Sequence, residues 1–154
     1  MLGLLNQINF VKLINFQEPI ILIKDNLKVQ ISGVPYIYDI DSNYKDYYFP
    51  TRLEGVDYHI VMIRSFLIDK PFIDSISHTL IDEIKDVDAD IVLAGHYHSG
   101  FGIKRFNDRY FVNPGSLART YNSTAEINRT PAVAIIELSK EEIKIDEIKL
   151  KSAK

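Results

Sequence analysis

The sequence predicts an α/β fold, and two observations indicate it. Apolar runs of strand length cover residues 58–63 and 91–94, and between them apolar side chains fall on one face of a predicted helix over residues 75–85. The 154-residue chain is 46% hydrophobic and 25% charged, which is near the average for globular proteins and sufficient for one core. We therefore expect a single domain over residues 1–154.

The segment before residue 58 is predicted to contain a helix, several strands and a loop. Apolar residues at helical spacing predict an amphipathic helix over residues 2–15. The β-branched runs 19–23 and 27–31 predict a hairpin, and residues 35–40 are expected to continue the sheet. Residues 41–57, rich in Asn, Asp, Lys and Tyr, are predicted to form a polar, aromatic loop.

Five tyrosines lie close together in and before this loop. They are Tyr36, Tyr38, Tyr44, Tyr47 and Tyr48. Aromatic side chains can stack on nucleic-acid bases, but the surrounding acidic residues disfavour a nucleic-acid groove. We interpret this cluster as local packing.

The second half of the chain is predicted to end in two strand pairs. After the apolar run that Gly95 closes, residues 101–106 and 109–112 are expected to form a hairpin around an Asn-Asp turn. Residues 132–138 and 143–150 are expected to form a final strand pair.

Charge and composition exclude several functions. The net charge of -3 gives no general attraction to nucleic acid or to an anionic membrane. Without cysteine, disulfides and thiol chemistry are excluded, so a metal site must use His, Asp, Glu, Asn or backbone oxygen. The apolar N-terminus lacks a basic leader and no run approaches ~20 apolar residues, so we expect a cytoplasmic protein without a membrane partner.

The most informative motif is Gly-His-x-His at the end of the predicted strand 91–94. In an extended chain the side chains of His96 and His98 point the same way, so both imidazoles can face one metal ion. The flanking Gly95 and Gly100 leave space above the rings. The alternative is two ordinary loop histidines, because two ligands do not complete a metal site.

A second polar motif, Val-Asn-Pro-Gly-Ser, follows the predicted strand 109–112. Asn113, Gly115 and Ser116 offer an amide, close backbone approach and a hydroxyl, and the nearby Arg119 offers a fork for a phosphate. Such a loop can bind an oxyanion. Taken alone, the same residues also suit a plain β-turn.

Together, in this order and spacing, the two motifs resemble the C-terminal half of the calcineurin-like metallophosphoesterases, and they are most similar to the branch of DNA-repair exonuclease subunits. The resemblance implies the C-terminal half of a four-layer α/β/β/α sandwich, with a mixed sheet and flanking helices. It implies two divalent metal ions (Mn, Zn or Fe), with His96 a ligand of one and His98 of the other. Asn113 to Ser116 would support the neighbouring loop or, with Arg119, a substrate phosphate.

The resemblance also implies hydrolysis of a phosphate ester or of nucleic acid by a metal-bound hydroxide. However, the earlier family motifs Gly-Asp-x-x-Asp and Gly-Asn-His are missing, and we interpret the Asp-x-His at residues 57–59 as coincidence. Arg64 stands where the family has a metal-binding His, and a guanidinium cannot ligate a cation. Arg64 could instead bind phosphate or form a salt bridge. No catalytic residue is assigned.

These departures leave three hypotheses. The chain is a partial phosphodiesterase or phosphatase whose site needs an N-terminal half, from another chain or a longer product. Alternatively, it is a non-catalytic scaffold or binding module, expected to be a monomer or homo-oligomer, or it is a truncation product of an ordinary enzyme. His59 and His78 are predicted to be structural rather than metal ligands.

Overall fold

The computed structural model describes residues 2–15, 17–118 and 124–151. Over these ranges the chain is a mixed α/β fold made mostly of strands with few helices, which confirms the coarse fold class. The helices are α1 (Leu2–Gln7), α2 (Thr124–Asn128) and two 3-10 helices (Ile40–Asp46 and Ile81–Ile84). The strands are β1 (Ile20–Lys24), β2 (Leu27–Val34), β3 (Tyr58–Ser65), β4 (Leu67–Ile68), β5 (Thr79–Leu80), β6 (Ile91–His96), β7 (Gly102–Phe106), β8 (Arg109–Asn113), β9 (Ala132–Leu138) and β10 (Ile143–Lys149).

A mixed six-stranded sheet forms the centre of the fold, in the order β1-β2-β3-β6-β8-β7. The four inner strands β2, β3, β6 and β8 are parallel, and the edge strands β1 and β7 pair antiparallel to their neighbours. The carboxyl ends of the inner strands therefore meet at one edge of the sheet, where ligands commonly bind in such folds.

One face of the sheet packs against the segments that connect the parallel strands. Alternate residues of β3, among them Val61 and Ile63, face this core, together with Tyr48 and Ile84 from the connections. The Tyr48 hydroxyl hydrogen-bonds Ser65, and burial is the main reason that its pKa is raised. This contact fixes the segment that connects β2 to β3 (residues 35–57, the first connection) near the carboxyl end of β3.

The opposite face is only partly covered. The β9–β10 hairpin covers the part of this face that is nearer the amino ends of the parallel strands. There Ile60, Ile91 and Val112 form a second core. Further towards the carboxyl ends, an open apolar groove of about 480 Å³ crosses the sheet beside Met62, which is 42% exposed. The segment around Ile14 reaches over this part of the sheet, close to Gly33.

Three predicted elements are wrong, each for a local reason. The helix over 2–15 ends at Gln7, because the chain turns at Asn9 with a positive φ and Asn6 accepts a hydrogen bond from the backbone of Leu13. The strand 35–40 does not form, because Asp39 adopts a left-handed conformation that starts a 3-10 helix.

The predicted helix over 75–85 is replaced by strand β5 and one 3-10 turn. The backbone amide of Thr79 donates to the carbonyl of Phe66, and β5 pairs with β4. Ile81 and Ile84 still face the core, because their i, i+3 spacing suits a 3-10 turn as well as an α-helix. The remaining predicted strands, including both hairpins and the final pair, are confirmed; their bounds agree within two residues except for 27–31, whose strand β2 continues three residues further, to Val34.

Candidate functional site

The first polar motif lies at the carboxyl edge of the sheet. His96 is the last residue of β6 and pairs in register with Ser65, the last residue of β3. Its φ of 111° is rare for a residue other than glycine and marks the point where the chain leaves the strand. His98 lies in the turn that follows, closed by a hydrogen bond from the Gly100 amide to the Tyr97 carbonyl. The two histidines are therefore not successive positions of an extended strand, as the sequence argument assumed.

His98 nevertheless lies near enough to affect the charge of His96. Partial burial lowers the pKa of the His96 imidazole, electrostatic interaction with Arg64 and His98 lowers it further, and Asp41 partly opposes them. The net effect favours neutral imidazole, which is the form that ligates metals.

Phe66 holds the first motif in position. Its ring packs edge-on against His96, with centroids 5.8 Å apart, and against Tyr97 at 5.3 Å. A third edge-on contact joins it to Phe72 at 5.6 Å. The His96 ring is therefore exposed on one side and supported by an aromatic cluster on the other.

A small cavity opens in front of His96. It has a volume of about 190 Å³, and its wall includes Tyr36, Asp41, Arg64, Ser77 and His96. Arg64 is exposed, and its guanidinium lies 5.6 Å from the ring centroid of Tyr36. The cavity is therefore lined by both an imidazole and a guanidinium, two groups that recognise phosphate.

Asp41 has a structural role at this cavity. One carboxylate oxygen accepts a hydrogen bond from the backbone amide of Phe66 at 3.0 Å, and the other accepts one from the Thr79 hydroxyl at 2.8 Å. Asp41 therefore joins the first connection to the segment after β3. Its negative charge acts to raise the pKa of His96, against the larger lowering by burial.

The Asn-Pro-Gly-Ser motif packs directly against the turn that contains His98. The Asn113 side-chain amide donates to the Tyr97 carbonyl at 3.0 Å, and the backbone amide of Ser116 donates to the His98 carbonyl at 2.8 Å. The Asn113 side-chain oxygen accepts from the Gly115 amide, which forms an Asx turn. The two motifs predicted to act together are thus adjacent in space.

Close backbone contact makes two glycines necessary here. A Cβ atom on Gly100 would lie 2.5 Å from the Gly115 nitrogen, and one on Gly115 would lie 2.8 Å from the His98 carbonyl oxygen. Both glycines also have positive φ values, of 68° and 86°. The Arg129 side chain lies against Gly115 as well.

The other predicted residues are placed as follows. Arg64 lies at the carboxyl end of β3, next to Gly95 in the sheet register, and therefore close to the first motif. Ser116 donates its hydroxyl hydrogen to the Ala118 carbonyl in a local turn. Arg119 lies outside the described residues.

The two remaining histidines lie away from this site or bind local partners. His59 is fully buried near the amino end of β3, where its Nδ1 lies 2.5 Å from the Asp88 carbonyl and its Nε2 lies 2.8 Å from the Ser32 hydroxyl. His78 Nδ1 lies 2.7 Å from the Ile76 carbonyl.

Asp57, two residues before His59, forms an ion pair with Lys140 at 2.7 Å. The Asp-x-His at 57–59 is therefore at the opposite end of β3 from His96, in agreement with its interpretation as coincidence.

The described residues do not by themselves form a complete metal site. Within residues 2–15, 17–118 and 124–151, no cluster of three or more His, Asp or Glu side chains is positioned to hold a metal ion. His96 and His98 contribute imidazole nitrogens at this edge of the sheet, and both Asp41 oxygens already accept hydrogen bonds. The donor set does not suffice for a dinuclear centre.

No model of a known protein family matches this chain, and a search of curated proteins finds no similar one. No helix in the described part of the chain is both long and apolar enough to cross a membrane.

Sequence reasoning missed three residues of the site: Tyr36, Asp41 and Phe66. Each lies in a connection that follows a parallel strand. The sequence signal for them is their position shortly after a predicted strand end, because ligands bind beyond the carboxyl ends of parallel strands. The strand end before Tyr36 was obscured because residues 35–40 were predicted to continue the sheet.

Proposed function

We propose that this chain is the C-terminal portion of a metal-dependent phosphoesterase, a hydrolase with the four-layer sandwich architecture that its motifs imply. The observation that carries the proposal is the presence of His96 and Arg64 on one cavity wall at the carboxyl edge of the parallel strands, with His98 in the turn that follows. Basic and imidazole groups at this edge suit a phosphate ester, whereas a purely structural edge has no need of them.

In this proposal His96 and His98 are metal ligands and Arg64 binds the substrate phosphate. The lowered pKa of His96 supports its role, because a ligating imidazole must be neutral. Asn113, Gly115 and Ser116 support the His98 turn through the hydrogen bonds described above. Arg119 is a further phosphate-binding candidate on the strength of the resemblance alone. When bound, divalent metals would supply an activated water at this site.

The remaining metal donors come, in this proposal, from a second polypeptide segment that acts as an N-terminal half. Two features of the fold support such a partner. The groove beside Met62 leaves apolar sheet surface exposed, with Lys12 and Arg64 on its wall. In addition, within the described residues β9 pairs with β10 alone, so its outer edge can accept another strand.

Metal binding by the purified chain tests the proposal. We expect weak binding of a single Mn²⁺ or Co²⁺ ion, measured by NMR or by the cobalt absorption spectrum. The variants His96→Gln and His98→Gln should each weaken it about tenfold or more, whereas the matched control His78→Gln should not. Binding that is unchanged in both site variants would overturn the proposal. Hydrolysis of a generic phosphodiester at high rates by the chain alone would overturn the need for a second half.

One observation favours a second candidate function, that of a non-catalytic binding module. Arg64 occupies the strand end beside Gly95, and a guanidinium has no lone pair to give a metal ion. A site that binds phosphate without metal is consistent with this arrangement. Titration with inorganic phosphate in the presence of EDTA separates the two functions, because phosphate affinity should persist in a binding module and fall sharply in a metal-dependent site.

A further inference from the structure

The edge strand β1 exposes apolar side chains on both of its faces. Ile21, Leu22 and Ile23 are consecutive and are 38%, 52% and 66% exposed. Successive side chains of a strand point to opposite faces, so Leu22 lies on the face that the β9–β10 hairpin partly covers. Ile21 and Ile23 lie on the face of the first connection. Single exposed apolar residues are common on protein surfaces, whereas a contiguous group of them marks an interaction surface.

The outer side of β1 presents backbone groups that can pair with another strand. Within the described ranges, β1 pairs with β2 alone. The two-residue turn at 25–26, with φ values of 49° and 65°, makes Lys24 and Leu27 the first hydrogen-bonded pair of the hairpin. Because hydrogen-bonded positions alternate along an antiparallel pair, the N–H and C=O groups of Ile21 and Ile23 point away from β2.

The opposite edge of the sheet is protected in a way that β1 is not. The edge strand β7 carries Lys104 and Arg105, and Lys104 forms an ion pair with Asp69 at 2.9 Å. Charged residues on an edge strand disfavour its pairing with other chains. In β1 the first four residues are apolar, and the charged residue Lys24 comes last. Of these two edges, β1 is therefore the one suited to pair with another strand.

We infer that β1 pairs antiparallel with β1 of a second copy of this chain, so that two six-stranded sheets form one continuous sheet across a two-fold axis. Such a pair of identical strands is closed by its symmetry, and every contact in it occurs twice. The inference goes beyond the proposed function and does not depend on it, because β1 is an edge strand and His96 lies at the carboxyl end of an inner strand.

The residues around β1 favour one register of this pairing. When Ile21 of each copy lies opposite Ile21 of the other, the exposed Lys24 of each copy lies opposite the exposed Glu18 of the other. Opposite charges directly across a strand pair stabilise it. If the register is shifted by two residues, Lys24 lies opposite Ile20 instead, and the pairing of charges is lost. Charge complementarity therefore selects a second copy of this chain in the first register.

A cavity beside the start of β1 supports the same register. Ile23 of the second copy then lies opposite Pro19, which lines a cavity of about 420 Å³ together with Phe49 and Leu53. Phe49 and Leu53 are 43% and 45% exposed. The cavity and Ile23 are both on the face of the first connection, so pairing covers apolar surface of both copies.

Charge reversal tests the pairing, because Glu18 and Lys24 of one chain are about 20 Å apart along an extended segment and do not meet each other. Glu18→Lys and Lys24→Glu each replace two attractive contacts between copies with two repulsive ones. Each variant alone should weaken dimerisation about tenfold. An equimolar mixture of the two variants should regain the wild-type dimer, because every contact between unlike chains is then attractive. Sedimentation equilibrium measures the weight-average mass.

Matched controls are available elsewhere on the surface. Glu142→Lys and Lys149→Glu make the same charge changes at exposed positions near the two ends of β10, and neither they nor their mixture should alter the mass. Ile23→Lys removes the apolar residue that faces the cavity and should also weaken dimerisation. Ile73→Lys, at a position that is 60% exposed, should not.

Three outcomes would overturn the inference. The first is a wild-type chain that stays monomeric at millimolar concentration, which would leave the β1 edge to a strand of another protein. The second is self-association that both charge reversals leave unchanged, because the groove beside Met62 contains neither residue 18 nor residue 24. The third is a mixture no more dimeric than its two components. None of these results bears on the proposed function, which the metal titration of His96→Gln tests.

Discussion

The side-chain amide of Asn113 donates a hydrogen bond to the backbone carbonyl of Tyr97 at 3.0 Å, and this contact joins the two motifs of the candidate site. Asn113 is 3% exposed, and its side-chain oxygen accepts the Gly115 amide at the same time. Its own carbonyl accepts a hydrogen bond from the Phe101 amide. One buried residue therefore fixes the turn that carries His98 relative to the end of β8.

We predict that Asn113→Ala lowers the free energy of unfolding by about 1–3 kcal/mol. The substitution leaves the Tyr97 carbonyl and the Gly115 amide without their partner, and a buried polar group that loses its hydrogen bond carries a cost of this size. Urea unfolding measures the change. Asn43→Ala is the control, because this exposed amide makes only a 3.4 Å hydrogen bond, and its effect should stay within about 0.5 kcal/mol.

Gly100→Ala should be more destabilising than Gly55→Ala. Both glycines have positive φ values, of 68° and 75°, so an alanine is strained at either position by about 1–2 kcal/mol. At Gly55 nothing lies within 4 Å of the added Cβ, whereas at Gly100 it would meet the backbone of Gly115 at 2.5 Å. We expect a further loss of about 1–3 kcal/mol at Gly100. Equal unfolding free energies for the two variants would show that the two loops are not in close contact.

Stability should fall with pH below about 6.5 because of His59. Its Nδ1 faces the Asp88 carbonyl, which can only accept, and its Nε2 faces the Gln30 amide nitrogen, which can only donate, so the neutral ring suits both partners. Burial, the largest cause, lowers the pKa of His59 below its ordinary value. The unfolded chain therefore binds a proton that the folded chain does not, and the stability present above the unfolded pKa is lost as pH falls through it.

Urea unfolding between pH 8 and pH 5.5 measures this effect, and the slope from one such group reaches at most about 1.4 kcal/mol per pH unit. His59→Gln removes the titrating group and should give a flatter profile, although the variant is less stable at pH 8. A wild-type profile as flat as that of the variant would contradict the prediction.

The exposed groove beside Met62 should cause self-association. We predict that Met62→Glu lowers the weight-average mass in sedimentation and weakens ANS fluorescence, because it places a charge on the apolar sheet face. Ile148→Glu is the matched control, since Ile148 is 43% exposed, close to the 42% of Met62, but lies on β10 outside the groove. If the wild-type chain is a monomer that does not bind ANS, this surface is not an interface.

The strands of the six-stranded sheet and of the final pair were predictable because their signal is local. The apolar runs at 58–63 and 91–94, and the hairpin signals after them, require only neighbouring residues to identify them. The helix predicted over 2–15 stops at Gln7, where the chain turns at Asn9. The helix predicted over 75–85 does not form, because apolar residues at i, i+3 also suit a short 3-10 turn when backbone pairing with another segment competes.

By itself the sequence determined the strands and the two motifs at strand ends, because each depends on residues within a few positions of one another. Only the tertiary structure brought Tyr36, Phe66 and Arg64 to His96, and Asn113 to Tyr97. These contacts depend on strand order and on the path of the long connections, which no local pattern encodes. The chemistry of the site was therefore indicated by sequence, whereas the groups that surround it were decided by the packing of distant segments.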